Sequence, residues 1–315
     1  MEILIWAFIF IVSVAILVKG ADWVLDGAKN IGLSLGMPPF VVGVLIVGFG
    51  TSAPELVSSV AGVLKGAIEI PAANAIGSNI TNILLVLGIA ALLARGKLAV
   101  TKNIVDLELP ILAFATLLFF GVAYDGVITT IESLFLLVGA IIYLAYTFIH
   151  KDKSEIISED ESKSRPRLSA KDILLLVIGM VFLVFGAKYL IDAVIALSGM
   201  IGISVGIITI LAVAIGTSLP ELLVSAKAAM QGNAEVAVGN IFGSNIFNIF
   251  LVVGVPGMLG TLVLDAPTLA IGLPVLLAVT FFFIISGLSQ RIHTWEGAFY
   301  LLAYTLFTFK LLGIV

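Results

Sequence analysis

The sequence lacks cysteine and is poor in charge. With no cysteine in 315 residues, disulfides, thiol catalysis and thiolate metal sites are excluded. Charged residues make up 11% of the chain, against roughly a quarter in soluble domains. Hydrophobic residues make up 61%, and apolar runs of about 20 residues, enough to cross a bilayer, recur along nearly the whole length. We therefore predict a polytopic membrane protein whose N-terminal stretch is a membrane helix and not a signal peptide.

Ten apolar segments divide the chain. Their predicted ranges are 2–27, 38–65, 70–95, 104–122, 127–150, 172–197, 204–230, 236–260, 268–287 and 294–313. The one long polar connection runs from His150 to Asp172, and we interpret residues 151–171 as a flexible linker. This division gives a first half of residues 1–150 and a second half of residues 172–315.

The basic residues predict the orientation of these segments. If the N-terminus lies outside, 12 lysines and arginines fall at cytoplasmic ends, and only Lys65 and Lys310 fall at external ends. The opposite orientation would reverse this ratio. We therefore predict a multi-pass protein of the cell (inner) membrane with both termini external and the 150–171 loop in the cytoplasm.

The two halves repeat one another. A shift of 166 residues places GTSAPE at 50–55 on GTSLPE at 216–221, and NAIGSNITN at 74–82 on NIFGSNIFN at 240–248. From Gly50 to Gly88, 19 of 39 positions are identical to their partners. Each half holds five segments, and this odd number makes the second half enter the membrane from the opposite side. The predicted fold is all-α, with ten transmembrane helices arranged as two inverted five-helix repeats, an architecture typical of secondary transporters.

The paired hexapeptides place Glu55 and Glu221 inside apolar segments. A carboxylate at membrane depth costs several kcal/mol or more, so such residues usually face an aqueous cavity or a partner and mark ion pathways. Pro54 and Pro220 remove a backbone donor beside each glutamate, and we expect both helices to be interrupted there. Carbonyl groups freed in this way are tolerated where they line a cavity.

Further oxygen donors accompany the glutamates. Thr51 and Ser52 lie within about one helical turn of Glu55, and Asn74, Ser78 and Asn82 form one polar stripe on the next helix. The second half repeats this pattern. For Asn74, Asn79, Asn240 and Asn245, hydrogen bonding between helices is the favoured interpretation. These hard oxygen donors suit Ca²⁺, Na⁺ or K⁺ and argue against Zn²⁺ and Cu²⁺.

At these motifs the sequence resembles the calcium/cation antiporter superfamily, and in particular prokaryotic sodium/calcium exchangers. The resemblance covers all ten segments. It implies an antiporter and not an enzyme, without a cofactor, whose substrates are Ca²⁺ and Na⁺ and whose surroundings are the lipid bilayer. It also implies a Ca²⁺ site between Glu55 and Glu221, flanked by Na⁺ sites. The implied metal ligands are Glu55, Glu221, Thr51, Thr217, Ser52, Ser218, Ser78, Ser244, Asn82, Asn248, and the backbone carbonyls of Gly48 and Ala214.

The sequence departs from the superfamily pattern at one position, and it leaves alternative functions open. Several members of the superfamily have aspartate where this chain has Asn248, so the resemblance does not favour K⁺ dependence. A proton/calcium exchanger using the same glutamates is the main alternative function, and a passive cation channel is another. Nothing in the sequence indicates a nucleic-acid partner, and a monomer is compatible with it.

Overall fold

The computed structural model describes residues 2–34, 48–94, 97–99, 108–149, 168–232 and 234–314. Helices occupy part of every one of the ten predicted segments. In chain order they are α1 (Glu2–Ser34), α2 (Gly48–Thr51), α3 (Ala53–Leu64), α4 (Ile70–Leu93), α5 (Leu109–Ala123), α6 (Thr130–Ile149), α7 (Ala170–Ile201), α8 (Val205–Thr217), α9 (Leu219–Met230), α10 (Ala234–Gly257), α11 (Thr268–Leu288) and α12 (Thr294–Leu311). Residues 38–47, 104–107 and 150–167, which include most of the predicted linker, lie outside the described part.

Helix length and composition agree with a membrane protein. Within the described residues, five helices are long and apolar enough to cross a membrane, and the bent pair α8 and α9 makes a sixth. Three shorter apolar helices, α3, α5 and α6, accompany them. Most of the large exposed hydrophobic side chains on these helices are leucine, isoleucine, valine and phenylalanine, as expected for a surface in contact with lipid.

The centre of the molecule is built from α4 and α10, which are equivalent in the two repeats. In the most apolar 18-residue stretch of each helix, 78% of the residues are buried in α4 and 72% in α10. The corresponding shares are 22% in α1 and 28% in α7. Each central helix contains a π-helical turn at the end of its polar stripe, at Thr81–Val86 and at Asn248–Val253. Such turns are rare and frequently occur at functional sites.

Helices α1 and α7 form a tightly packed antiparallel pair at the periphery. A Cβ atom added at Gly20 would lie 2.9 Å from the carbonyl oxygen of Gly179, and one added at Gly179 would lie 2.7 Å from the amide nitrogen of Val24. Glycine is therefore required at this crossing, because any side chain would meet the backbone of the other helix. Asn30 also donates a 2.9 Å hydrogen bond to Asp172 across the pair.

Two short antiparallel ribbons confirm the inverted relation of the halves. Strand β1 (Lys97–Ala99) pairs with β4 (Arg291–His293), and β2 (Val127–Ile128) pairs with β3 (Leu262–Val263). The first ribbon pairs Lys97 with His293 and the second pairs Val263 with Val127, so the 166-residue shift carries one ribbon onto the other. Because successive helices cross in alternate directions, the two ribbons lie on opposite faces of the bundle, here called the β1–β4 face and the β2–β3 face.

Candidate functional site

The predicted helix interruptions are present at both hexapeptides. Helix α2 ends at Thr51 and α3 begins at Ala53, while α8 ends at Thr217 and α9 begins at Leu219. In the second repeat the two pieces meet at an angle of 47°. Proline is tolerated in the first turn of each new helix, because a backbone N–H group at that position has no acceptor within the helix. Glu55 and Glu221 consequently lie in the first turns of α3 and α9, where the helix dipole stabilises negative charge.

The two glutamates come together through hydrogen bonds that cross between the repeats. Ser52 Oγ donates to Glu221 Oε1 at 3.2 Å, and Ser218 Oγ donates to Glu55 Oε1 at 3.3 Å. These two bonds are equivalent under the 166-residue shift. They bring the carboxylates of the two halves to one place in the middle of the bundle.

Both carboxylates are completely buried and incompletely satisfied. The exposed fraction of Glu55 and of Glu221 is 0%, and the Oε2 atom of each has no hydrogen-bond partner among the described residues. Burying an ionised oxygen without a partner is costly. Each Oε2 atom therefore needs a compensating partner, either a cation or a proton.

An asparagine network places further oxygen atoms in the same interior. Asn82 Nδ2 donates to Asn245 Oδ1 at 3.2 Å, Asn248 Nδ2 donates to Asn79 Oδ1 at 3.0 Å, and Asn79 Nδ2 donates to the Asn245 carbonyl at 3.1 Å. These bonds use the side-chain nitrogens of Asn82 and Asn248, so the side-chain Oδ1 atoms of both residues remain available to accept a further partner. Neither oxygen has a hydrogen-bond partner in the described part of the chain, and the same holds for Thr51 Oγ1.

The two repeats differ in how their serines and threonines are used. Ser244 Oγ donates to Glu221 Oε1 at 3.3 Å, whereas Ser78 Oγ lies 3.5 Å from Asn74 Oδ1. Thr217 Oγ1 donates to its own helix, to the carbonyl of Val213 at 3.1 Å.

The structure brings the predicted site residues into one buried region. The side chains of Thr51, Ser52, Glu55, Ser78, Asn82, Thr217, Ser218, Glu221, Ser244 and Asn248 are at most 2% exposed. Of the two predicted carbonyl ligands, the Ala214 oxygen already accepts hydrogen bonds from Ser218 N at 3.0 Å and from Thr217 Oγ1 at 3.4 Å. Gly48 begins α2, four residues before Ser52.

The sequence analysis missed two serines that bond to the asparagines holding the glutamate backbones. Asn74 Nδ2 lies 3.1 Å from the Glu55 carbonyl oxygen and 3.0 Å from Ser59 Oγ. The equivalent Asn240 Nδ2 lies 3.4 Å from the Glu221 carbonyl and 3.1 Å from Ser225 Oγ. The sequence predicts structural hydrogen bonding for both asparagines, but not the part taken by Ser59 and Ser225. Their identity at matched positions of the two repeats was the available signal.

Replacing Asn74 by alanine is expected to destabilise the protein by about 1–2 kcal/mol, the upper range for hydrogen bonds between membrane helices. The change leaves the Glu55 carbonyl and Ser59 without this donor. Denaturant titration of purified protein measures the effect, with Thr305→Ala as a control because that hydroxyl is exposed and bonds only within its own helix. Equal stability of the Asn74→Ala variant and the control would show that this amide does not hold the α3 backbone.

The donor set has two carboxylates and otherwise neutral oxygens. In the described residues, histidine, cysteine, aspartate and glutamate side chains form no group of three or more that could hold a metal ion. Hydroxyl, amide and carboxylate oxygens are the ligands that hard cations accept.

Comparison with known proteins identifies the class. The family model described as sodium/calcium exchanger protein matches residues 5–149 and 171–313. The chain therefore belongs to the sodium/calcium exchanger family and is a cation/calcium antiporter, a transporter and not an enzyme.

Individual relatives match over nearly their full length. The putative antiporter CaxA of Alkalimonas amylolytica is 33% identical over 308 residues, covering 95% of this chain and 96% of the relative. The sodium/calcium exchanger MaX1 of Methanosarcina acetivorans is 32% identical over 338 residues, with the same coverage of 95% and 96%. The solved structure of the sodium-calcium exchanger NCX_Mj soaked with 10 mM Na⁺ and zero Ca²⁺ matches with a TM-score of 0.68 at 29% identity, covering 96% of this chain and 98% of that one.

Proposed function

We propose that this protein exchanges Na⁺ for Ca²⁺ across the cell membrane, with Ca²⁺ held between Glu55 and Glu221. The single observation that carries the proposal is the pair of fully buried carboxylates, one from each repeat, whose Oε2 atoms have no partner among the described residues. One Ca²⁺ would neutralise both charges.

Oxygens with unused acceptor capacity support the proposed Ca²⁺ site. Calcium takes about six to eight oxygen ligands. Partnerless oxygens are present on Glu55, Glu221, Asn82, Asn248 and Thr51. The hydroxyls of Ser52, Ser218 and Ser244 lie beside the carboxylates. We propose these three hydroxyls as the remaining Ca²⁺ ligands. Ser78, Thr217 and the carbonyls of Gly48 and Ala214 are proposed to serve the flanking Na⁺ sites.

The buried charge also explains why transport would be coupled. An empty site holds two like charges in a medium of low dielectric constant, which is strongly unfavourable. In a site loaded with Ca²⁺ or with Na⁺ the negative charge is neutralised, so access to the site can change from one face to the other. Crossing in the loaded states alone makes the exchange obligatory.

Alternating access is proposed to come from sliding of the α1/α7 pair along the rest of the bundle. The pair faces both helix breaks through small and apolar contacts: Leu25 lies against Gly50, and Val14 lies against Gly216. Residues 1–150 and 172–315 would act as the two inverted units, joined by a cytoplasmic linker at 151–171, with both termini external.

Uptake of radioactive ⁴⁵Ca²⁺ into proteoliposomes tests the counter-ion directly. With pH clamped on both sides, we expect uptake when the vesicles contain Na⁺ and background uptake when they contain choline. Uptake driven by a pH gradient without Na⁺ would instead support proton/calcium exchange. Uptake without any counter-ion on the other side would indicate a passive channel, and protein-free vesicles provide the background.

A further inference from the structure

Lys65 ties the end of α3 to α7 on the β2–β3 face. Its Nζ atom forms an ion pair with Asp192 and donates a 2.7 Å hydrogen bond to the carbonyl of Lys188. The side chains of Lys65 and Asp192 are only 23% and 35% exposed. The amide of Val263 in β3 bonds to the carbonyl of Ile68 at 3.3 Å, which places this part of the chain beside the β2–β3 ribbon.

This tie crosses an interface that is otherwise apolar. Contacts between the α1/α7 pair and the neighbouring helices are made by apolar side chains, among them Val14, Leu17, Leu190, Val213, Val57 and Leu219. Apart from a local bond at the end of α7, Lys65 supplies the side-chain hydrogen bonds that join the pair to the other helices within the described residues. An apolar interface has no directional bonds to break when helices slide, so the bonds of Lys65 are polar contacts that such sliding would break.

The Lys65–Asp192 ion pair has no counterpart in the other half of the chain. The 166-residue shift carries Lys65 onto Gln231 and Asp192 onto Asp26. Gln231 and Asp26 are both exposed, and neutral glutamine cannot form the equivalent ion pair.

We infer that the Lys65–Asp192 ion pair is a one-sided conformational latch. In an inverted-repeat transporter the second end state arises when the two halves exchange roles, and its corresponding contact joins Gln231 and Asp26. Only one of the two registers thus gains an ion pair. The latch therefore biases the equilibrium towards the register in which Lys65 contacts Asp192, and it rests on the proposed alternating access.

Distance measurement by electron paramagnetic resonance tests the latch without any ion gradient. The natural chain has no cysteine, so spin labels can be placed uniquely on Met200→Cys in α7 and Tyr124→Cys at the end of α5, both exposed positions near the β2–β3 face. Lys65→Gln and Asp192→Asn are each expected to move the ratio of the two distance populations in the same direction, by about two- to fivefold, the range for a partly exposed ion pair. Exchanging the two residues, Lys65→Asp with Asp192→Lys, should restore the original ratio.

Two further variants control for charge and symmetry. Lys227→Gln removes an exposed lysine from α9 and should leave the ratio unchanged. Gln231→Lys supplies the missing counterpart opposite Asp26 and should shift the ratio in the same direction as Lys65→Gln.

The two single substitutions distinguish a latch from a long-range electrostatic effect. If Lys65 and Asp192 acted only through their field on passing cations, the substitutions would have opposite effects, because they change the charge by opposite signs. That result, or an unchanged ratio, would overturn the latch. Failure of Na⁺-dependent uptake in the vesicle assay would remove the proposed counter-ion, while a population shift common to both single variants would still support the latch.

Discussion

Replacing Glu55 or Glu221 by glutamine is expected to reduce Ca²⁺ transport by at least about 100-fold, because Ca²⁺ affinity depends on the number of charged ligands. Glutamine keeps the shape of the side chain and an acceptor for the serine of the opposite repeat. It removes one of the two charges that would neutralise the cation. Initial rates of ⁴⁵Ca²⁺ uptake into proteoliposomes measure the loss for each variant separately.

The matched control is Glu2→Gln, which removes the same charge from an exposed position at the start of α1. It should transport at the rate of the unmodified chain. Both site variants should remain folded in the membrane, since each loses a buried charge and no packing volume. Normal transport by either site variant would contradict the assignment of the ion to this pair of carboxylates.

Replacing Gly77 by valine is expected to have the largest effect on assembly. A Cβ atom at this position in α4 would lie 2.7 Å from Ile210 Cα and 2.8 Å from both Ile210 O and Ala214 Cβ in α8. Two of these atoms belong to backbone and cannot rotate away, so the helices must separate. We expect a cost of about 3 kcal/mol or more, at the upper end for overpacked cores.

Fluorescence-detected size-exclusion chromatography measures the yield of folded Gly77→Val protein, and vesicle uptake measures its activity. We expect a severe loss of monodisperse protein and of Ca²⁺ transport. Gly121→Val is the control, since that glycine is exposed and a Cβ there meets nothing within 4 Å among the described residues. A Gly77→Val variant with normal yield and transport would show that α4 and α8 need not approach closely for the site to form.

The sequence predicted those features that depend on residue type and on the repeat. A glutamate and a proline in an apolar segment predict a buried functional carboxylate and a helix interruption, because the membrane interior penalises both. Finding this combination twice, at Glu55 and Glu221, predicted that the halves would meet. The helix breaks and the inverted arrangement are confirmed by the structure and the family match. The ten oxygen-bearing side chains assigned to the site are all buried together, and their role in binding ions stays a prediction.

Other features could not be read from one sequence because they depend on tertiary contacts. The ribbons join strands of two or three residues that lie far apart in the chain, such as Lys97 and His293, and strands this short carry no periodic pattern. The repeat also suggested equal roles for Ser78 and Ser244. Only Ser244 reaches a carboxylate, because small differences in helix position decide which acceptor lies within hydrogen-bond distance.

Crystals soaked in Ca²⁺ give the most direct test that the two carboxylates hold one ion. We expect a single strong anomalous difference peak within about 2.3–2.6 Å of oxygens of both Glu55 and Glu221, the usual range for calcium. In parallel crystals soaked in Na⁺ without Ca²⁺, this peak should be absent. A calcium peak elsewhere in the molecule, or one that contacts only one of the two carboxylates, would contradict the proposal that Glu55 and Glu221 hold one ion together.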